Sequence, residues 1–433
     1  MTKSVEKSGT FRTRERGQRL RSPKRPVETP SPPVVSPKIS TRSKIFGLGI
    51  LGVALTAGIA VIGHKNDSKD STSVSKSAPN AQKDDFKLPE NLNIDVPNYE
   101  YRSLPEKEIN KDAAVKFIQS VHELVAKLQS SNPSQKNKII DSFLEKELAS
   151  VEGNASMDID EKIDHMNTIL IPAGLYFFMV EDSEGNYRIS LFTIEKQDQV
   201  HISDNIGEMD VPVLILGADS VPADLSTRLS YMYGSADRRY KRVLTFKSNI
   251  EKMSKPLGIN DAESMEKFME GNAFHEATHV MLASRFPKMR PAVAADKKFP
   301  VNFSFPVPGG SAAAEIKGDS FAVQFHEVCA NGAEFASSPV NSLDKVTSLL
   351  TDRNVPFGYV LLKKLLAYAV LSTLPPSSQK TKILGEVATG NLSFIEIAAQ
   401  VQQSGNDVAL QRRIGQILYR IGYDLIQKGE ASN

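Results

Sequence analysis

Two histidines four residues apart, His275 and His279, with Glu276 beside the first, are the residues of this chain best placed to do chemistry. Residues four apart share one face of a helix, so both imidazoles can aim a nitrogen at a single ion roughly 2.0–2.1 Å away. Glu276 then stands where a carboxylate accepts a proton from a metal-bound water. The metal depresses the pKa of that water toward about 7, and the carboxylate makes it a usable nucleophile at neutral pH. An amphipathic helix can carry the same three residues without any such purpose. Here Phe274, Val280, Met281 and Leu282 surround the motif with apolar side chains that would bury it in mid-helix, which favours chemistry.

A catalytic zinc needs a third protein ligand. A second candidate helix, Ser320 to Ala336, offers Glu327, Glu334 and His326. Glu327 and Glu334 are seven apart and so lie on nearly the same face, whereas His326 points about 100° away from its neighbour Glu327. The run His275-Glu276-Ala277-Thr278-His279 is an HExxH motif, and together with the second helix it resembles the zincin metallopeptidases. The metzincin pattern would continue with Gly at 282 and His at 285; Leu282 and Arg285 exclude that branch. The gluzincins take a Glu from a later helix and commonly follow it, four residues on, with a polar group bonded to a ligand His. Asn331 occupies that position after Glu327, whereas Ser338 follows Glu334. Glu327-Val328-Cys329-Ala330-Asn331 also looks like the Glu-x-x-Ala-Asn helix of the ImmA/IrrE-like metallopeptidases.

The resemblance spans Asn260 to Pro339. It implies hydrolysis of a peptide or protein substrate, with Zn²⁺ held by His275, His279 and Glu327 and Glu276 as general base. Glu334 and His326 stay open as alternatives for the third ligand. It also implies a Tyr or His that steadies the oxyanion; Tyr359 is the first choice, with Tyr231, Tyr233 and His326 competing. A zincin that keeps its helices without catalysis, or a membrane-tethered interaction protein with a fortuitous HExxH, are the rival expectations.

The elements that must position these residues follow from hydrophobic spacing. Asn260 with Glu263 resembles a capping box and Phe286-Pro287 a stop, which predicts a helix between them. Phe321, Phe325, Val328, Cys329 and Phe335 give the second helix its apolar side, and Phe357 to Leu374 predicts another. Leu410, Ile414, Ile417, Leu418, Ile421 and Leu425 form the clearest stripe. Upstream, Asn110 is an N-cap for a helix through Leu128, and a second helix runs through Ile139 to Leu148. Ile169 to Val180 and Tyr187 to Ile194 read as hairpin strands, and Val211 to Leu216 and Tyr240 to Phe246 as two more. From Asn260 onward the pattern is helical almost to the end. The expected fold is α+β: a zincin-like ectodomain with an N-terminal α+β part (106–250) holding a small sheet, and a mostly helical HExxH part (251–433). The HExxH helix should pack beneath the strands near Tyr240 to Phe246.

The first hundred residues have a different character. Residues 1–44 are basic and Pro-rich and read as disordered. Ile45 to Gly63 carries no charge and would span roughly 28 Å as a helix, enough for one transmembrane anchor. A cleaved signal peptide competes, but so long a polar lead argues against it. Lys and Arg before the span place the N-terminus in the cytoplasm and the rest in a periplasmic or extracellular space. Residues 64–105 then form a flexible linker. The balanced overall charge of +2 gives no reason to expect a nucleic-acid partner, and a single Cys, Cys329, excludes an internal disulfide framework and multi-cysteine zinc fingers. Cys329 is expected to be a buried structural thiol. Asp158 and Asp160 lack the Gly and terminal Glu of a calcium loop. Gly309-Gly310 reads as a flexible loop between the two ligand helices.

Overall fold

The computed structural model describes residues 95–432, apart from 107, 152–155, 182–185, 223–224, 227–232, 238, 255–260, 307–312, 341, 375–376, 389–392 and 406. The basic segment, the expected span Ile45 to Gly63, most of the linker, Tyr231, Asn260 and Gly309-Gly310 lie outside the described residues. Among the described residues no helix is long and apolar enough to cross a membrane.

The fold is α+β. Strands β1 (Asn98–Ser103), β2 (Leu175–Glu181), β3 (Tyr187–Ser203), β4 (Glu208–Asp219), β5 (Gly234–Ala236) and β6 (Val243–Phe246) form one sheet in the order β1-β3-β4-β6-β5, with β2 also on β3. β3 is the long member. Its first half pairs antiparallel with β2 and its second half with β1, while β4 runs along its other side with bulges between Phe192 and Lys196. β4 and β6 are parallel, and β5 returns antiparallel to β6.

β1 corrects the expectation of a linker to residue 105. Tyr99 turns inward on this strand, is buried, and its hydroxyl meets Thr278 at 2.8 Å. The polar sequence around it conceals a strand whose hydrogen bonds come from β3. Ile169 and Leu170 are also not strand residues. They end helix α3 (Ile159–Leu170), which Asp158 opens with a reciprocal capping box to Glu161. Asp158 and Asp160 therefore start a helix. α1 (Lys111–Ser130), capped by Asn110 as expected, and α2 (Pro133–Glu147) pack with α3 on one region of the sheet, around Phe117, Leu124, Leu144, Phe177 and Leu191.

The larger core lies where the sheet meets the remaining helices. After the short α4 (Lys247–Ser254), α5 (Ala262–Arg285) runs for 24 residues and packs on β4, β5 and β6. Its N-cap is Asp261, which accepts from Ser264 N. The stretch after α5 is not all helix. An antiparallel ribbon, β7 (Lys298–Pro306) with β8 (Ala313–Phe321), intervenes before α6 (Ala322–Ser337), so Ser320 and Phe321 belong to a strand. Then follow α7 (Leu343–Thr351), a 3-10 turn Phe357–Tyr359, α8 (Val360–Thr373), α9 (Ser378–Ala388), α10 (Phe394–Gln403) and α11 (Val408–Ser432).

α6 is clamped between α5 and α11 at very short range. A Cβ on Gly415 would sit 2.3 Å from Ala336 N, and one on Gly422 2.6 Å from Cys329 N. Glycine is required there because backbone meets backbone. The Cys329 thiol is fully buried at this contact, and burial pushes its pKa well above the ordinary value, so it is an inert packing group, as its sequence context suggested.

Candidate metal centre

α5 and α6 bring His275, His279 and Glu327 together as one buried group whose ligand atoms all lie within 4.8 Å of one another. The two Nε2 atoms are 3.2 Å apart; Glu327 Oε2 is 3.5 Å from His275 Nε2, and Glu327 Oε1 is 3.8 Å from His279 Nε2. An ion bound tetrahedrally at 2.0–2.1 Å needs ligand atoms about 3.3 Å apart. Two imidazole nitrogens facing each other also share at most one proton, so the pair is poorly satisfied by hydrogen bonding alone. The donor set, two nitrogens and one carboxylate, fits zinc.

Two of the three candidate ligands, His275 and Glu327, have a support. Glu334, one helical heptad beyond Glu327, puts Oε2 3.1 Å from His275 Nδ1, close enough for an ion pair though not aligned for a linear hydrogen bond. Lys345 of α7 in turn reaches Glu334 Oε2 at 2.5 Å. Glu334 is thus the carboxylate behind the histidine, while Glu327 is the one in front of it. Asn331 was expected to hold a ligand histidine. It instead donates to the carbonyl of Glu327 at 2.9 Å and lies 3.5 Å from its Oε2, steadying the carboxylate. The Tyr359 hydroxyl also hydrogen-bonds Glu327.

Glu276 lies on α5 next to His275 and under β5. Its Oε2 accepts from Ala236 N at 2.8 Å, and its buried Oε1 has no partner among the described residues. Burial drives its pKa up to about 7, opposed by His275 and reinforced by Glu327. A carboxyl at that value exchanges a proton near neutral pH.

Burial pushes His279 down to about 4, which leaves it neutral with a lone pair to offer. Burial also pulls on His275, but Glu327 and Glu334 outweigh it and raise His275 to about 9. Burial likewise works against ionised Glu334, yet Lys345 and His275 hold it down to about 2.

The other candidates fall elsewhere. His326 lies outside the group; its ring stacks on His279, 5.9 Å between centroids and nearly parallel. Tyr233 is buried edge-on against Phe268. Arg285, where a metzincin would have a histidine, makes a two-pronged pair with Asp204 in the β3–β4 turn. A cavity of about 480 Å³ beside Tyr101, Lys196 and Asp198 lies apart from this group; Lys196 pairs there with Asp198 and Lys247 with Glu195, and Glu106 and Glu266 also line it.

Sequence reasoning missed the supports. Glu334 carried a legible signal, its seven-residue spacing from Glu327. The β5 contact to Glu276 did not, since Gly-Ser-Ala has no strand propensity of its own. Comparison with protein-family models, curated proteins and solved structures finds no match to this chain.

Proposed function

We propose that this protein is a zinc-dependent metallopeptidase of the zincin type, anchored by Ile45 to Gly63 and acting on peptides or proteins outside the cytoplasm. The observation that carries the proposal is the convergence of His275, His279 and Glu327 at ligand spacing, with a buried Glu276 beside them. His275, His279 and Glu327 would hold the zinc. When bound, zinc polarises a scissile carbonyl and acidifies a water.

Glu276 takes the proton of the attacking water on its unpartnered Oε1 and delivers it to the departing amine nitrogen. Its other oxygen stays fixed by Ala236 N–H. In the β5–β6 ladder, Phe246 N bonds Tyr233 O and Asp237 N bonds Arg242 O. Alternation then turns the backbone groups of Gly234 and Ala236 to the outer edge, where Glu276 sits. An extended peptide laid along that edge would present its carbonyl beside Glu276. Tyr359, expected to steady an oxyanion, is better assigned to holding Glu327.

The test is the metal content of the full-length protein beside His279→Ala and Glu327→Ala, followed by peptide turnover for wild type and Glu276→Gln. About one zinc per chain, lost in both ligand variants, with turnover lost but zinc kept in Glu276→Gln, is the expected result. No stoichiometric zinc in the wild type would sink the proposal. Zinc with no turnover would favour an inactive zincin-like module.

A further inference from the structure

The two ligand histidines are held by different means. His275 has Glu334 behind its Nδ1 at 3.1 Å. His279 has no such carboxylate. Its polar contacts among the described residues, to His275 at 3.2 Å and to Glu327 at 3.8 Å, both come from Nε2, the nitrogen that faces the ion's place. A ligand imidazole is ordinarily fixed through its other nitrogen, and a site loses affinity when that ring is free to turn. Something other than a hydrogen bond must therefore hold the His279 ring.

What surrounds it is two other imidazoles. The His275 ring meets it edge-on, with centroids 5.0 Å apart and planes at 72°. The His326 ring lies parallel to it, 5.9 Å away and 4° off. Offset parallel rings at this separation attract each other. Rotation of His279 about χ2 would swing the edge of its ring out of this arrangement. His326 and Glu327, neighbours on α6, point about 100° apart, and both directions are used: Glu327 enters the group while His326 flanks it. Parallel planes also keep the lone pairs of His326 alongside those of His279, so the two do not converge on one ion.

His326 is itself firmly placed. It is fully buried, as are Phe325, Val328 and Cys329 on the same helix. A Cβ on Gly332 would stand 2.3 Å from Tyr419 N on α11, so α6 has no room to roll against that neighbour. Neither His326 nitrogen reaches a partner at hydrogen-bond geometry, though the backbone of Met289 lies close. An imidazole buried on those terms costs stability, and a position that merely fills space is better served by an apolar side chain. What His326 offers is its flat face.

Resting on the zinc-site reading above, we infer that His326 is a positioning residue for the metal: its ring face stops His279 from turning about χ2 and keeps Nε2 aimed at the point shared with His275 and Glu327. The experiment compares full-length wild type with His326→Leu and His326→Phe. Zinc affinity is read by competition with a chromophoric chelator, and site geometry by the visible absorption of bound cobalt(II). His326→Leu keeps apolar bulk without a flat face, and should bind zinc about tenfold more weakly, with weakened or shifted cobalt bands. His326→Phe keeps a face and should stay within about threefold of wild type, with wild-type bands. Wild-type affinity and bands in His326→Leu would overturn the inference, whatever happens to the melting temperature of the metal-free protein, because the side chain would then only fill space. An equal loss in a folded His326→Phe would overturn it as well. If the Phe ring proves too large for the protein to fold, the Leu comparison decides alone. A wild type that binds neither zinc nor cobalt would remove the zinc reading itself, whereas equal binding by wild type and His326→Leu removes this inference and leaves that reading standing.

Discussion

Glu334 sets the terms on which His275 can accept a metal. It faces Nδ1 while Glu327 faces Nε2, so in the metal-free protein the imidazole lies between two carboxylates and its pKa rises to about 9. The folded value lies above the unfolded one of about 6.5. The stability this contributes to the metal-free protein is therefore full below about pH 6.5 and is lost as pH climbs through about 9. Metal binding follows the opposite course, because the ion must displace that proton. Zinc affinity should rise roughly tenfold per pH unit through neutrality and level off near pH 9. His279, at about 4, adds nothing to the slope above pH 5. In Glu334→Gln the levelling should begin at lower pH, because one of the two carboxylates is gone. The plateau affinity should also be about 10- to 100-fold weaker, because the ring loses the group that orients it. Competition against a chromophoric chelator between pH 6 and 10 reads both effects; a pH-independent affinity in the wild type would contradict this account.

Among the elements, α6 carries the third ligand and α11 fixes where α6 can lie. Gly422 meets the backbone of Cys329, two residues from Glu327, so a larger residue there cannot be absorbed by turning a side chain. Gly422→Val should cost about 3 kcal/mol or more and reduce zinc content along with stability. Denaturant unfolding with a metal assay checks this, and a variant with a wild-type midpoint would show that the helix spacing adapts. The same elements explain what was legible in advance. α11 is buried on a helical period that is visible in the sequence, while α5 and α6 are buried on every side through the HExxH stretch and around Glu327, and their motifs and apolar residues marked them. The two histidines and Glu327 come with those helices. Elements stabilised mainly by partners were not legible. β1 and β5 are short, and their strand character comes from the ladders with β3 and β6. The β7–β8 ribbon did carry a strand signal, the alternation of Phe299, Val301, Phe303 and Phe305, but Pro300 and Pro306 interrupt it and the helical reading from Asn260 onward passed over it. The cap of α5 fell one residue late because Asn260 and Asp261 are both good caps, and Asp261 has Ser264 at the required spacing. Tyr240, expected as the first residue of a strand, lies in the turn before β6 with a φ of 54°, and a left-handed tyrosine has no sequence signature.

At the scale of the whole molecule, the α1–α3 layer has its own core, distinct from the one around the metal centre, and a charged contact ties it to the turn that carries Tyr240. Asp164 on α3 meets Arg242 at 3.0 Å and Lys241 at 2.5 Å, and Arg242 also pairs with the buried Asp237. Replacing Asp164 by Asn keeps the shape but leaves two cations beside one carboxylate, which should cost about 1–3 kcal/mol. No metal ligand touches Asp164, so zinc content should not change. Turnover should fall, because the turn follows Ala236, whose N–H holds Glu276, and would fix that strand edge less tightly. Glu161→Gln is the control. It removes a pair with Arg239 in which both partners are about a third or more exposed, and it should cost no more than about 1 kcal/mol. Kinetics and unfolding of the two variants together separate a general loss of stability from a specific one. If Asp164→Asn lowers the melting temperature but keeps full turnover well below it, the N-terminal layer only supports the fold. If turnover falls at temperatures where the variant is fully folded, that layer helps to position the strand edge that holds Glu276.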